Sequence, residues 1–290
     1  MKSNHQNSHF VASGDDTPLL PADSVNAGPV PLSFWADAWR KLRRRPLFII
    51  SSFMILLITV VAVFPGLFTQ TAPNRNCLLA NSSGPPMPGH PLGFTFQGCD
   101  IYSRVIHGTQ ASLAVGVLSV LGDLVIGVTL GALAGFFGGW IDTVIARLGD
   151  IFFALPLVLG ALVVTQLPFF RENKSVWTVV LVISILAWPQ MARITRGAVI
   201  EVRNADFVTA ARSLGVSKIG TLVRHVLPNS MAPVVVLATL DLGVFIVTEA
   251  TLSFLGIGLP GSIMSWGNDI SAAKDTLRTN PEVLLYPATA

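Results

Sequence analysis

The sequence predicts an all-α, polytopic membrane protein, and three observations carry that prediction. Of its 290 residues, 51% are apolar and only 12% are Asp, Glu, Lys or Arg, about half the charge of a typical soluble domain. The mean hydropathy is +0.63. The apolar residues gather in runs long enough to cross ~30 Å of hydrocarbon as helices. This balance argues against an ordinary cytosolic enzyme, and two Cys are too few for a disulfide-rich scaffold. A net charge of +3 is too small for a nucleic-acid footprint.

Residues 1–31 are polar and rich in Ser, Asn, Pro and Asp, which reads as a disordered cytoplasmic tail. No apolar core near Met1 suggests a signal peptide. Residues 32–46 are expected to form an interfacial amphipathic helix. Phe34, Trp35, Ala38, Trp39 and Leu42 share one face, and Arg40, Lys41 and Arg43–Arg45 supply the basic residues of a headgroup layer. The alternative is a soluble helix packed on other protein.

Leu47–Phe68 carries no charge and forms the first span, and the basic cluster before it keeps the N-terminus cytoplasmic. Residues 69–104 are then an extracytoplasmic loop dense in Pro and Gly. Its Cys77 and Cys99 can pair in only one way, and the compartment permits a disulfide. Closing that loop would stabilise it by about 3 kcal/mol on a chain-entropy account; the alternative is two unpaired small apolar residues.

Thr109–Phe137 is the second span, dotted with Gly116, Gly122, Gly127, Gly131 and Gly135, small residues that let helices approach closely in lipid. Trp140–Asp150 reads as a polar link, Ile151–Phe170 as a third span with Pro156 and Pro168 inside it, and Val176–Ala192 as a fourth. A charged cytoplasmic loop, residues 196–229, leads to the fifth span, Met231–Ile257. Gly258–Asn280 returns outside. This topology leaves most of the 19 Lys and Arg inside, with Arg75, Arg104, Arg171, Lys174, Lys274 and Arg278 outside.

Two carboxylates interrupt the spans, Asp123 in the second and Asp241 in the fifth. A charge at the bilayer centre costs about 3 kcal/mol on insertion scales and usually faces a cavity or a partner. Two readings stand: both line a translocation path, or both are neutral or hydrogen-bonded at a subunit interface. Glu249, nearer the outer surface, is expected to fix a turn.

The loop carries the mechanism. Phe207, Ala210, Ala211 and Leu214 recur at helical spacing, Asn204 or Asp206 can cap the start, and Gly215 sits where a left-handed residue ends a helix. Ser217 can cap a second helix in which Ile219, Leu222, Val223 and Val226 repeat the spacing until Pro228 stops it. Two short amphipathic helices reversing at a glycine need a cover for their apolar stripes. Either a partner protein supplies it, or this chain's own helix ends do.

Here the sequence resembles the permeases of binding-protein-dependent ABC importers, whose cytoplasmic loop reads Glu-Ala-Ala, three residues, Gly, then a spacer ending in Leu-Pro. Ala210, Ala211, Gly215, Val226, Leu227 and Pro228 match, with Thr209 in place of the Glu. The stretches His90–Gly93, Gly98–Asp100, Leu133–Asp142, Glu249–Gly258 and Ser265–Gly267 resemble the second, C-type membrane subunit of the dipeptide/oligopeptide branch.

The resemblance implies a type I ABC importer permease for short peptides, multi-pass in the plasma (inner) membrane. Its implied partners are a homologous permease subunit, two ATP-binding subunits beneath the bilayer and an extracytoplasmic peptide-binding protein. Coupling to the ATPase would run through Asp206, Phe207, Ala210, Ala211, Leu214, Gly215, Ile219, Leu222, Leu227 and Pro228. Nickel, a glycoside or proton-coupled secondary transport are the alternatives. The chain has no G-x-x-x-x-G-K-[ST], H-E-x-x-H or G-x-S-x-G pattern, so no catalytic residue, metal or cofactor is expected. The family has six spans. Five are read here, with Glu282–Ala290 resembling the opening of a sixth and the remainder expected to be truncated.

Overall fold

The structure is a computed structural model that describes residues 39–40, 42–75 and 77–290. It divides into two compact units, Met1–Leu56 and Leu57–Ala290. In the first unit Trp39, Arg40 and Leu42 are helical, and the Trp39 ring meets Phe48 edge-on at 6.3 Å. The tail 1–31, and the rest of the expected interfacial face (Phe34, Trp35, Ala38), lie outside the described residues. Helix α1 (Pro46–Val63) opens on a proline, where the missing N–H costs nothing, and is apolar around its whole circumference, as a lipid-facing helix is.

In the second unit the element order is α2 (Ile101–Phe137), α3 (Gly139–Phe153), α4 (Leu157–Thr165), α5 (Pro168–Glu172), α6 (Val176–Val202), α7 (Asp206–Ser213), α8 (Lys218–Thr221), α9 (Met231–Phe254), α10 (Trp266–Ala273) and α11 (Glu282–Thr289). Among the described residues no strand forms, only the isolated bridges Met87–His90 and Phe94–Asp100. Among the described residues four helices are long and apolar enough to cross a membrane, or five if α3 and α4 form one broken span.

Four predicted elements are corrected. Helix α2 begins before Thr109 because Asp100 caps it, its carboxylate accepting from the Ser103 amide at 3.1 Å. The expected polar link 140–150 is the helix α3, and the expected continuous span 151–170 breaks at Pro156, where α3 and α4 meet at an 85° bend. Proline lacks the N–H a continuing helix would need and disfavours helical geometry in the residue before it. Helix α6 starts on a reciprocal Ser175–Thr178 capping box and runs past Ala192 to Val202 with Pro189 inside it.

The core lies where α2 and α6 cross. Gly127, Gly131 and Gly135 recur every fourth residue and form the seam: a Cβ on Gly131 would lie 2.4 Å from the Ala192 carbonyl oxygen. Val115, Val179, Ile183, Phe245 and Leu252 complete an apolar cluster joining α2, α6 and α9. Outside the seam, Cys77 and Cys99 are disulfide-bonded with Cα atoms 4.3 Å apart. The neighbouring Gly98 has φ +72, and a side chain there would strike the Leu78 carbonyl. Ser103 donates to the Thr71 carbonyl, and Arg104 holds both Asn74 and Asp269, so the loop is fastened to the first turn of α2 and to α10.

Candidate functional site

The loop between α6 and α9 forms the expected reversed helix pair. Helix α7 ends in a Schellman motif: the Val216 amide donates to the Ala211 carbonyl at 3.2 Å and the Gly215 amide to Arg212 at 3.0 Å, with Gly215 at φ +86. Ser217 then caps α8, its Oγ accepting from the Gly220 amide at 3.1 Å.

Two local expectations are corrected. The residue at the head of α7 is Ala205, with no side-chain cap; Asn204 turns its amide back to the Ile200 carbonyl instead. Pro228 does not stop the second helix. The chain widens into a π-helical stretch, Leu222–Val226, and makes one more turn, Leu227–Asn229. The wider turns accommodate a proline ring that would clash with the carbonyl four residues earlier.

The predicted apolar stripes divide between two faces. Val208, Ala211, Leu222 and Val226 are buried, and all but Ala211 join Ala132, Phe136 and Val199 in one cluster at the ends of α2 and α6. Phe207, Leu214, Ile219 and Val223 point outward, Leu214 at 85% exposure. Asp206, Ala210, Gly215 and Pro228 are also exposed, and Leu227 is half-buried. Both covers expected for the pair therefore have a face: one lies on this chain and the other is open. Val208, fully enclosed, was missed in the sequence, because an eight-residue helix has two adjoining apolar rows and spacing alone does not say which row turns inward. The Arg212 guanidinium lies 5.0 Å above the Phe136 ring and pins α7 to the end of α2.

The two span carboxylates sit differently. Asp241 lines a cavity of about 270 Å³ with Phe153, Pro156, Pro189, Gln190 and Phe245, at the break between α3 and α4. Asp123 is 1% exposed, neither of its oxygens has a hydrogen-bond partner, and it lies within electrostatic reach of Asp241 rather than on the cavity wall. Glu249 is fully buried. It accepts from Ser253 Oγ at 2.8 Å and Ser112 Oγ at 3.2 Å; those hydroxyls in turn accept the amides of Leu259 and Trp266. Glu249 thus holds the chain that follows α9. At the head of α10, burial pushes the Asp269 carboxyl up, opposed by the Arg104 guanidinium beside it. Among the described residues no group of His, Cys, Asp and Glu is placed to hold a metal.

An all-α chain with up to five spans, a cavity at a broken helix and an anchored helix pair with one open apolar face has the architecture of a multi-pass membrane permease subunit. Its sequence matches the family described as the binding-protein-dependent transport system inner membrane component over residues 127–289. The N-terminal TM domain of oligopeptide transport permease C matches over residues 33–86. The chain belongs to the binding-protein-dependent transport system inner membrane components, a family of permease subunits rather than enzymes.

Among its relatives, the oligopeptide transport system permease protein OppC of Bacillus subtilis is 35% identical over 89% of this chain and 83% of its own. The dipeptide transport system permease protein DppC of Alkalihalophilus pseudofirmus is 31% identical over 99% of this chain and 91% of its own. The glutathione transport system permease protein GsiD of Pectobacterium atrosepticum is 34% identical over 88% and 84%.

Proposed function

We propose that this chain is the permease subunit of an ATP-driven importer for short peptides and that it forms half of the translocation pathway beside a homologous permease. Two ATP-binding subunits dock beneath the bilayer, and an extracytoplasmic peptide-binding protein delivers substrate from the other side. The N-terminus is cytoplasmic, as the basic cluster Arg40–Arg45 demands. The naming of the relatives for oligopeptide, dipeptide and glutathione transport supports a peptide substrate.

One observation carries the reading. The α7–α8 pair is rigidly seated on its own chain through Val208, Leu222 and Val226 yet leaves Phe207, Leu214, Ile219 and Val223 uncovered. Apolar side chains on a cytoplasmic surface mark a protein interface, and a seated helix pair transmits force where a loose loop would not. Asp241 lies on the wall of the cavity, and Asp123 is buried within electrostatic reach of it.

The test is co-purification. Leu214→Glu combined with Ile219→Glu changes only the open face and is expected to strip the ATP-binding subunits from the complex while the permease pair stays intact. ATP-binding subunits that remain bound at wild-type stoichiometry would refute the docking.

A further inference from the structure

One corner joins the helix pair to the cavity. Helix α2 ends at Phe137, and the chain turns into α3 through Gly138 and Gly139, at φ +65 and φ +56. Two successive left-handed residues are a conformation that only glycine adopts freely. Phe136, on the near side of the corner, packs in the cluster with Val208, Leu222 and Val226 and lies under Arg212. On the far side, Asp142 in the first turn of α3 receives both ends of the Arg196 fork, Nε at 2.5 Å and Nη2 at 2.7 Å. Arg203 donates to the Gly135 carbonyl at 2.6 Å. Helix α6 therefore holds the corner from both sides.

Beyond the corner α3 is less tightly packed. A cavity of about 190 Å³ opens between α3 and α6, walled by Gly149, Phe153, Trp188, Pro189 and Arg196. At its far end α3 regains contact, with Arg193 4.2 Å above the Phe153 ring and Phe152 edge-on to Trp188 at 5.6 Å. Pro156 follows at once, and Phe153 and Pro156 are walls of the Asp241 cavity. A helix held at its two ends beside a cavity has room to swing.

We infer that Asp142 and Arg196 are positioning residues that lock the α2–α3 corner to α6, so that a displacement of the α7–α8 pair, passed through Phe136, swings α3 and moves the cavity wall at Pro156. This rests on the reading as an ATP-driven importer. A bidentate arginine–carboxylate pair suits the task because its planar geometry fixes orientation as well as distance.

The experiment uses the complete reconstituted transporter with its binding protein and a labelled peptide, and measures uptake and ATP hydrolysis together. Asp142→Asn is expected to keep its ATP-binding subunits and its hydrolysis within about twofold, while uptake per ATP falls about tenfold, the scale of a lost coupling interaction. Asp142→Glu, which retains a carboxylate, keeps most of the uptake per ATP. An unchanged ratio in Asp142→Asn, or loss of the ATP-binding subunits from it, overturns the proposal.

Should Asp142→Asn fail to assemble, spin labels at Val144→Cys and Ile194→Cys, both outward-facing on α3 and α6, report on the otherwise unaltered complex. Their separation is expected to shift between the nucleotide-free and ATP-trapped states, and a constant separation overturns the swing of α3. An unaltered transporter with no ATP-dependent uptake would instead overturn the parent reading.

Discussion

Arg104 shows how much a single side chain joins. Its guanidinium reaches Asn74 in the disulfide-bonded loop and Asp269 in α10, both from the first turn of α2, and the Arg104 and Asp269 side chains are only 11% and 7% exposed. Removing one partner of a buried pair leaves a charge with no compensation. Arg104→Ala is therefore expected to destabilise the protein by about 3 kcal/mol, the low end for a broken buried pair, seen as a lower Tm in detergent. Arg104→Ala combined with Asp269→Ala should lose less than Arg104→Ala alone, and a larger loss in the double variant would refute the pairing. None of this was legible beforehand: Arg104 was read only as an outer charge, and its partner lies 165 positions away. Glu249 was legible in part. Its link to a turn could be expected from position, but its complete burial depends on hydroxyls from two other segments, Ser112 and Ser253.

At the scale of elements, the glycine seam was the most readable feature. Gly127, Gly131 and Gly135 fall on one face by helical spacing alone, and that face meets α6. Gly131→Ala is expected to lower the yield of folded complex, because its Cβ meets backbone that cannot rotate aside. Gly243→Ala in α9, where nothing lies within 4 Å, should be tolerated. Equal yields from the two variants would remove the seam's role. The bent span was less readable. Hydropathy averages over a window and places Ile151–Phe170 in one apolar run, whereas the break at Pro156 is decided by one missing donor. The Gly215 reversal and the Ser217 cap were legible because each depends on local chemistry. Which apolar row of α7 turns inward was not, since that is settled by Phe136 and Val199 in other helices.

For the molecule as a whole, the number of spans follows from composition and the up-to-five count agrees with it. The path does not, because cavities depend on where helices leave gaps. Asp241 faces such a gap and Asp123 does not, so the two carboxylates are expected to separate in a transport assay. Asp241→Asn should slow uptake of a peptide with a free amino terminus more than that of its acetylated form, whereas Asp123→Asn alters both alike. Equal effects of Asp241→Asn on both peptides would exclude Asp241 from selection. The seating of α7 has a wider consequence. Because one row of the helix packs in this chain's own interior and the other is open, the two rows answer to separate constraints. The inner row, Val208 and Ala211, is buried in this chain's own interior. On the docking proposed above, the outer row, Phe207 and Leu214, would be free to diverge as an address label, allowing several importers of one architecture to share a cell without exchanging engines.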